Sequence, residues 1–152
     1  MQKSKGVAFF GVAIIVLGVY NLIGIGNYRQ FALMFKGLSN LVSISAYVFT
    51  ILYGVCGIYC GIKILRLEDW ARRAIIWLTV VSVISGLGLN RPVMSNFREM
   101  LFSGQLGVEP DMMSPVYRYA IAFTALVTLF EMSVIFFFTR PGVVKQFRPE
   151  SS

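Results

Sequence analysis

Four long apolar runs dominate the chain, and the short stretches between them carry most of its charge. The runs extend from Gly6 to Gly26, from Leu41 to Leu65, from Trp70 to Leu89 and from Tyr117 to Thr139. Each is near the roughly 20 residues a helix needs to cross the hydrocarbon of a bilayer. In hydrocarbon every backbone N–H and C=O must be paired within the protein, so such runs predict helices. The pattern therefore predicts an all-α integral membrane fold: a four-transmembrane-helix bundle forming a single membrane domain over residues 1–152. A secretory signal has an apolar core of only about 7–15 residues and a small-residue cleavage site. The first run is longer and ends in Gly24-Ile-Gly-Asn-Tyr, which predicts a retained helix.

The first and third connections carry patterns of their own. Tyr28, Phe31, Ala32 and Phe35 fall at helical spacing, as do Val93, Phe97, Met100 and Leu101. Both predict short amphipathic helices in the external loops, lying in the interface or packed over the bundle. Gly104, Gly107 and Pro110 end the second of them.

Composition agrees with this pattern. The 152 residues are 57% hydrophobic and 14% charged, where soluble domains average about 25% charged. The formal charge of +7 reads as membrane orientation. With the N-terminus inside, the cytoplasmic face holds Lys3, Lys5, Lys63, Arg66, Arg72, Arg73, Arg140, Lys145 and Arg148. The opposite face holds Arg29, Lys36, Arg91, Arg98 and Arg118. Nine against five favours both termini in the cytoplasm. No basic run interleaved with aromatics points to nucleic acid. The chain has no histidine, which removes the usual haem or zinc ligand and the usual neutral-pH base. No metal or other cofactor is expected.

Between the second and third runs the chain reads Gly61-Ile-Lys-Ile-Leu-Arg-Leu-Glu-Asp-Trp-Ala-Arg-Arg. Asp69 is placed to cap the third helix and Trp70 to anchor it at the interface. Glu68 with Arg72 and Asp69 with Arg73 are i,i+4 pairs with the acid first. Together they predict a tight helical hairpin.

The residue with most chemistry is Glu131. Counted from Arg140 it lies about 13 Å inside the fourth helix, with no Lys or Arg at similar depth to pair it. Hydrocarbon disfavours its charged form. Thr124, Thr128 and Glu131 make a polar stripe, with Tyr117 a further seven residues back. At the level of Glu131 the second helix offers Tyr53, Cys56 and Tyr59, and the third offers Thr79. The candidate intramembrane polar site is thus Glu131, Thr128, Thr124, Tyr53 and Tyr59. It reads either as interhelical glue, worth about 0.6–2 kcal/mol, or as a proton- or cation-coupling site. Asn21 is expected to hydrogen-bond across the bundle. Cys56 and Cys60, spaced C-x-x-x-C, have poor geometry for a mutual disulfide and read as small buried thiols. Gly54, Gly57 and Gly61 continue a stripe from Ala46 and Thr50, a helix-packing face. Gly11 and Gly18 make one on the first helix, and Ser82 and Gly86 on the third. Such stripes build the bundle or a homodimer.

The hairpin Gly61-x-x-x-Leu65-Arg66-Leu67-x-x-Trp70-Ala71-Arg72 resembles a pattern in bacterial four-helix membrane proteins of unassigned activity. The tail Phe138-Thr139-Arg140-Pro141-x-Val143-x-x-Gln146-Phe147 resembles the way many of them end. The resemblance implies a bacterial inner membrane and brings no catalytic or binding residues.

No G-x-S-x-G, H-E-x-x-H or Walker A pattern is present. An enzyme is not expected. The leading expectation is a non-catalytic accessory, assembly or scaffold component, whose partners are the bilayer and other membrane proteins or a second copy. The alternative is a small proton- or cation-coupled transporter or channel using Glu131.

Overall fold

The computed structural model describes residues 4–24, 26 and 28–147, with the backbone alone for 28–30. Lys3 and Arg148, and the side chains of Tyr28 and Arg29, lie outside the described residues. The described residues form six helices: α1 Lys5–Gly24, α2 Tyr28–Met34, α3 Asn40–Leu65, α4 Asp69–Phe102, α5 Pro110–Thr139 and α6 Pro141–Phe147. Helices α1, α3, α4 and α5 are long and apolar enough to cross a membrane. Large apolar side chains such as Trp77, Ile84, Leu126 and Leu129 stand exposed on their outer faces. A multi-pass membrane protein follows.

Two spans differ from the expected bounds. The third helix does not stop at Leu89. It runs through Pro92 to Phe102, so Val93, Phe97, Met100 and Leu101 extend α4 instead of forming a separate loop helix. Met100 and Leu101 are buried, and Phe97 stacks on Tyr117 of α5 with ring centroids 6.5 Å apart. This packing outweighs the backbone N–H that Pro92 lacks. The fourth helix starts at Pro110, not Tyr117; proline suits a first turn, whose N–H groups have no intrahelical partner. At 1.5 Å per residue α4 is about 51 Å long and α1 about 30 Å, so the α4–α5 hairpin overhangs the rest of the bundle.

The closest helix pair is α1 with α3. Val7, Gly11, Ile14 and Gly18 form the buried stripe of α1, against Gly54, Gly57 and Gly61 of α3. A Cβ on Gly18 would stand 2.8 Å from the carbonyl oxygen of Gly54, and one on Gly61 would stand 2.9 Å from that of Gly11. Backbone meets backbone at both points. Gly57 has more room, its nearest neighbours lying 3.9 Å from an added Cβ. The stripe thus joins two helices of one chain and is not free to pair with a second copy.

The start of α1, helix α6 and the α3–α4 turn share one end of the bundle, here termed the tail end. Leu67 adopts a left-handed backbone, φ 60°. Its N–H bonds the Ile64 carbonyl at 2.9 Å and that of Glu68 bonds the Lys63 carbonyl at 3.1 Å. This double bond pattern closes a helix C-terminus, with leucine where glycine is usual. Left-handed backbone costs a non-glycine residue about 1–2 kcal/mol; here the side chain packs on the core. The expected pairing is partly rearranged. Asp69 holds Arg73, at 2.6 Å, but Arg72 turns to Asp69, at 2.7 Å, and not to Glu68. Glu68 accepts from Lys63 at 2.9 Å and from the Trp70 indole at 2.6 Å. Asp69 is a first-turn acid, and neither it nor Glu68 makes a side-chain capping bond.

Arg72 is nearly buried and donates Nη1 to the Phe138 carbonyl at 3.0 Å. That carbonyl lies in the last turn of α5, where partners within the helix run out. The chain then turns at Arg140 into α6, which folds back under the bundle. Its Val143 and Phe147 join Val7, Ile64, Ala71, Ile75, Val134 and Phe138 in the core. Gln146 Oε1 accepts from the Ser4 backbone N–H at 3.3 Å. At the far end Asn96 Nδ2 donates to the Met34 and Lys36 carbonyls, both at 2.8 Å. This ties the end of α2 to α4.

Candidate functional site

Glu131 sits on the inner face of α5 and is 8% exposed. Its Oε1 accepts from the Ser82 hydroxyl of α4 at 2.7 Å and from the Tyr53 hydroxyl of α3 at 3.2 Å. One carboxyl oxygen therefore fastens three helices. Among the described residues no hydrogen bond reaches Oε2. Nor does any fully buried polar side-chain atom among them lack a partner. Oε2 is thus not fully enclosed by protein atoms.

Glu131 lines a chamber of about 160 Å³ together with Leu17, Asn21, Phe49, Thr50, Tyr53, Ser82 and Val127. It lies on the far-end side of the carboxyl. Below it a void of about 10 Å³, bounded by Glu131, Tyr53, Thr79 and apolar neighbours, is about the size of one water. No basic side chain lines either space. Two open grooves flank the chamber. One of about 640 Å³ between α3 and α4 shares Phe49, Thr50 and Ser82 with it. The other, about 930 Å³ between α1 and α5, shares Leu17 and Val127 and is almost wholly apolar.

Of the predicted site residues, the structure brings Glu131 and Tyr53 together. Thr124 and Thr128 share the face of Glu131, but each hydroxyl donates back to its own helix, to Ala120 and Thr124. Tyr59 lies elsewhere: it is 54% exposed, with its ring 5.6 Å from that of Trp70 and beneath the Lys63 ammonium. Thr79 is buried and bonds the Ile75 carbonyl. Asn21 lines the chamber, with Nδ2 on the Leu17 carbonyl at 3.0 Å in its own helix. Cys56 and Cys60 are free thiols. Sequence reasoning missed Ser82 as a partner of the carboxyl. It lies three residues beyond Thr79, on the same helix face, and that spacing was the available signal.

Among the described residues no three His, Cys, Asp or Glu side chains gather in one place, which leaves no cluster of the kind that holds a transition metal. No protein-family model, no curated protein and no solved structure matches the chain.

Proposed function

We propose that the chain is a non-catalytic accessory, assembly or scaffold component of a bacterial inner membrane, with both termini in the cytoplasm. The observation that carries this reading is the double hydrogen bond on Glu131 Oε1, which uses the costliest residue in the bundle to fasten α3, α4 and α5. The other intramembrane hydroxyls of the site, Thr79, Thr124 and Thr128, return to carbonyls of their own helices. Orientation is supported by the charges at the tail end, where Lys5, Lys63, Arg66, Arg73, Arg140 and Lys145 gather. The α2 segment, tied to α4 through Asn96, serves as a brace over the external end of the bundle.

The chamber beside Glu131 supports a second reading, a proton- or cation-coupled transporter. The two part on one variant. For an accessory protein, Glu131→Gln lowers the melting temperature in detergent and leaves no flux to lose. For a transporter, wild-type proteoliposomes carry a pH-dependent cation flux that Glu131→Gln abolishes, and that result overturns the accessory reading.

A further inference from the structure

Most polar groups around the chamber are acceptors. The hydroxyl hydrogens of Tyr53 and Ser82 are committed to Glu131 Oε1. That of Thr50 is committed to the Ala46 carbonyl at 2.8 Å, and one amide hydrogen of Asn21 to Leu17. What remains is Glu131 Oε2, the Asn21 side-chain oxygen and the oxygen lone pairs of Thr50, Tyr53 and Ser82, against a single free amide N–H. Five oxygen-bearing side chains from all four long helices line one small space that holds no basic side chain.

We infer that this chamber binds one small monovalent metal cation, held by Glu131, Asn21 and Thr50 and by the hydroxyl oxygens of Tyr53 and Ser82. Hard cations take oxygen ligands of this kind, carboxylate, amide carbonyl and water among them. The valence follows from charge. Glu131 is the only acid lining the chamber, so a single positive charge leaves the site neutral. A divalent ion would leave one charge uncompensated in a low-dielectric interior. The volume of about 160 Å³ admits the ion with a few waters, each occupying about 30 Å³. Access runs along the α3–α4 groove, which meets the chamber at Thr50 and Ser82 and carries Ser45 and Ser85 on its walls. The site needs neither an accessory nor a transport role, because binding alone is at issue.

The test is thermal unfolding of the full chain in non-ionic detergent at neutral pH. Sodium chloride or potassium chloride replaces choline chloride at constant ionic strength. A saturable rise in melting temperature with sodium, potassium or both is expected, and the two salts show which ion fits. Glu131→Gln is expected to abolish the rise. Because that variant also loosens the bundle, Thr50→Val is the second arm. Its hydroxyl bonds only its own helix, so its melting temperature in choline should stay near wild type. The salt midpoint should weaken about ten- to a hundredfold, the range seen when supporting groups of a metal site are removed. No saturable response in the wild type overturns the inference and leaves a chamber of water. So does a response that survives Glu131→Gln, or one that follows pH and no metal ion, which makes the occupant a proton.

Discussion

The α1–α3 seam and the Glu131 junction hold helices together in opposite ways. At the seam the glycines let backbone meet backbone, Gly18 against Gly54 and Gly11 against Gly61, with Ile15, Leu22 and Ile58 packed beside them. Dispersion over a close surface joins the helices, and water has no place. At the junction three helices stand far enough apart to leave a chamber, and one carboxyl oxygen bridges the gap. Apolar side chains cannot drive helices together in lipid, where the tails are equally apolar. A membrane bundle then relies on close approach at small residues or on polar bonds, and this chain uses both. The seam gives a fixed pair, and the junction gives a joint with space beside it.

The seam should be the less forgiving of the two. Gly18→Ala and Gly61→Ala each push a methyl against backbone and should lose about 1–3 kcal/mol, the usual cost of overpacking. Gly57→Ala, with 3.9 Å of room, should change stability by less than about 0.5 kcal/mol. Reversible unfolding in bicelles measures all three, and equal losses would break the contrast. At the tail end, Arg72→Met strips the Phe138 carbonyl of its charged donor and should destabilise by about 1–3 kcal/mol. Glu131→Gln keeps an acceptor for Tyr53 and Ser82, so its loss should stay near about 1 kcal/mol, within the measured range for intramembrane hydrogen bonds. A larger loss would make the junction the stronger fastening.

The smallest effect concerns Glu68. The Lys63 ammonium and then the Trp70 indole N–H hold its carboxyl below the usual carboxylate range. A depressed folded value adds stability that is complete above the unfolded value of about 4.3 and is lost as pH falls through the folded one. Wild type should therefore lose its small advantage over Glu68→Gln on acidification below about pH 4 and keep it at neutral pH. Melting curves of both chains across that window decide it.

The spans were legible because hydrocarbon leaves few alternatives to a helix. Depth was legible too, since counting from Arg140 put Glu131 level with Tyr53. Face was not. Tyr53 and Tyr59 are six residues apart, about 240° around a helix of 3.6 residues per turn, so one reaches the carboxyl and the other faces outward beside Trp70. Thr124 and Thr128 lay on the right face, yet hydroxyls in helices readily bond the carbonyl one turn back. Ser82 was hidden by its size: a small residue in a small-residue stripe reads as packing. The extent of α4 was obscured by Pro92, whose cost is local, while the burial of Met100 and Leu101 that outweighs it depends on partners distant in sequence. Helix α6 left only a short trace, Val143 and Phe147 at i,i+4 behind Pro141.

The length of α4 has a mechanical side. An unbroken helix from Asp69 to Phe102 is a lever whose arm exceeds the thickness of the bilayer. A tilt of about 5° at the α3–α4 turn moves its opposite tip by about 4 Å over a length of about 51 Å. Because α4 carries both Arg72, which grips α5, and Ser82, which grips Glu131, the same swing strains both fastenings at once. A push on one side of the membrane would reach the other as displacement, with the Arg72–Phe138 bond close to the pivot and the Ser82–Glu131 bond about 20 Å along the arm.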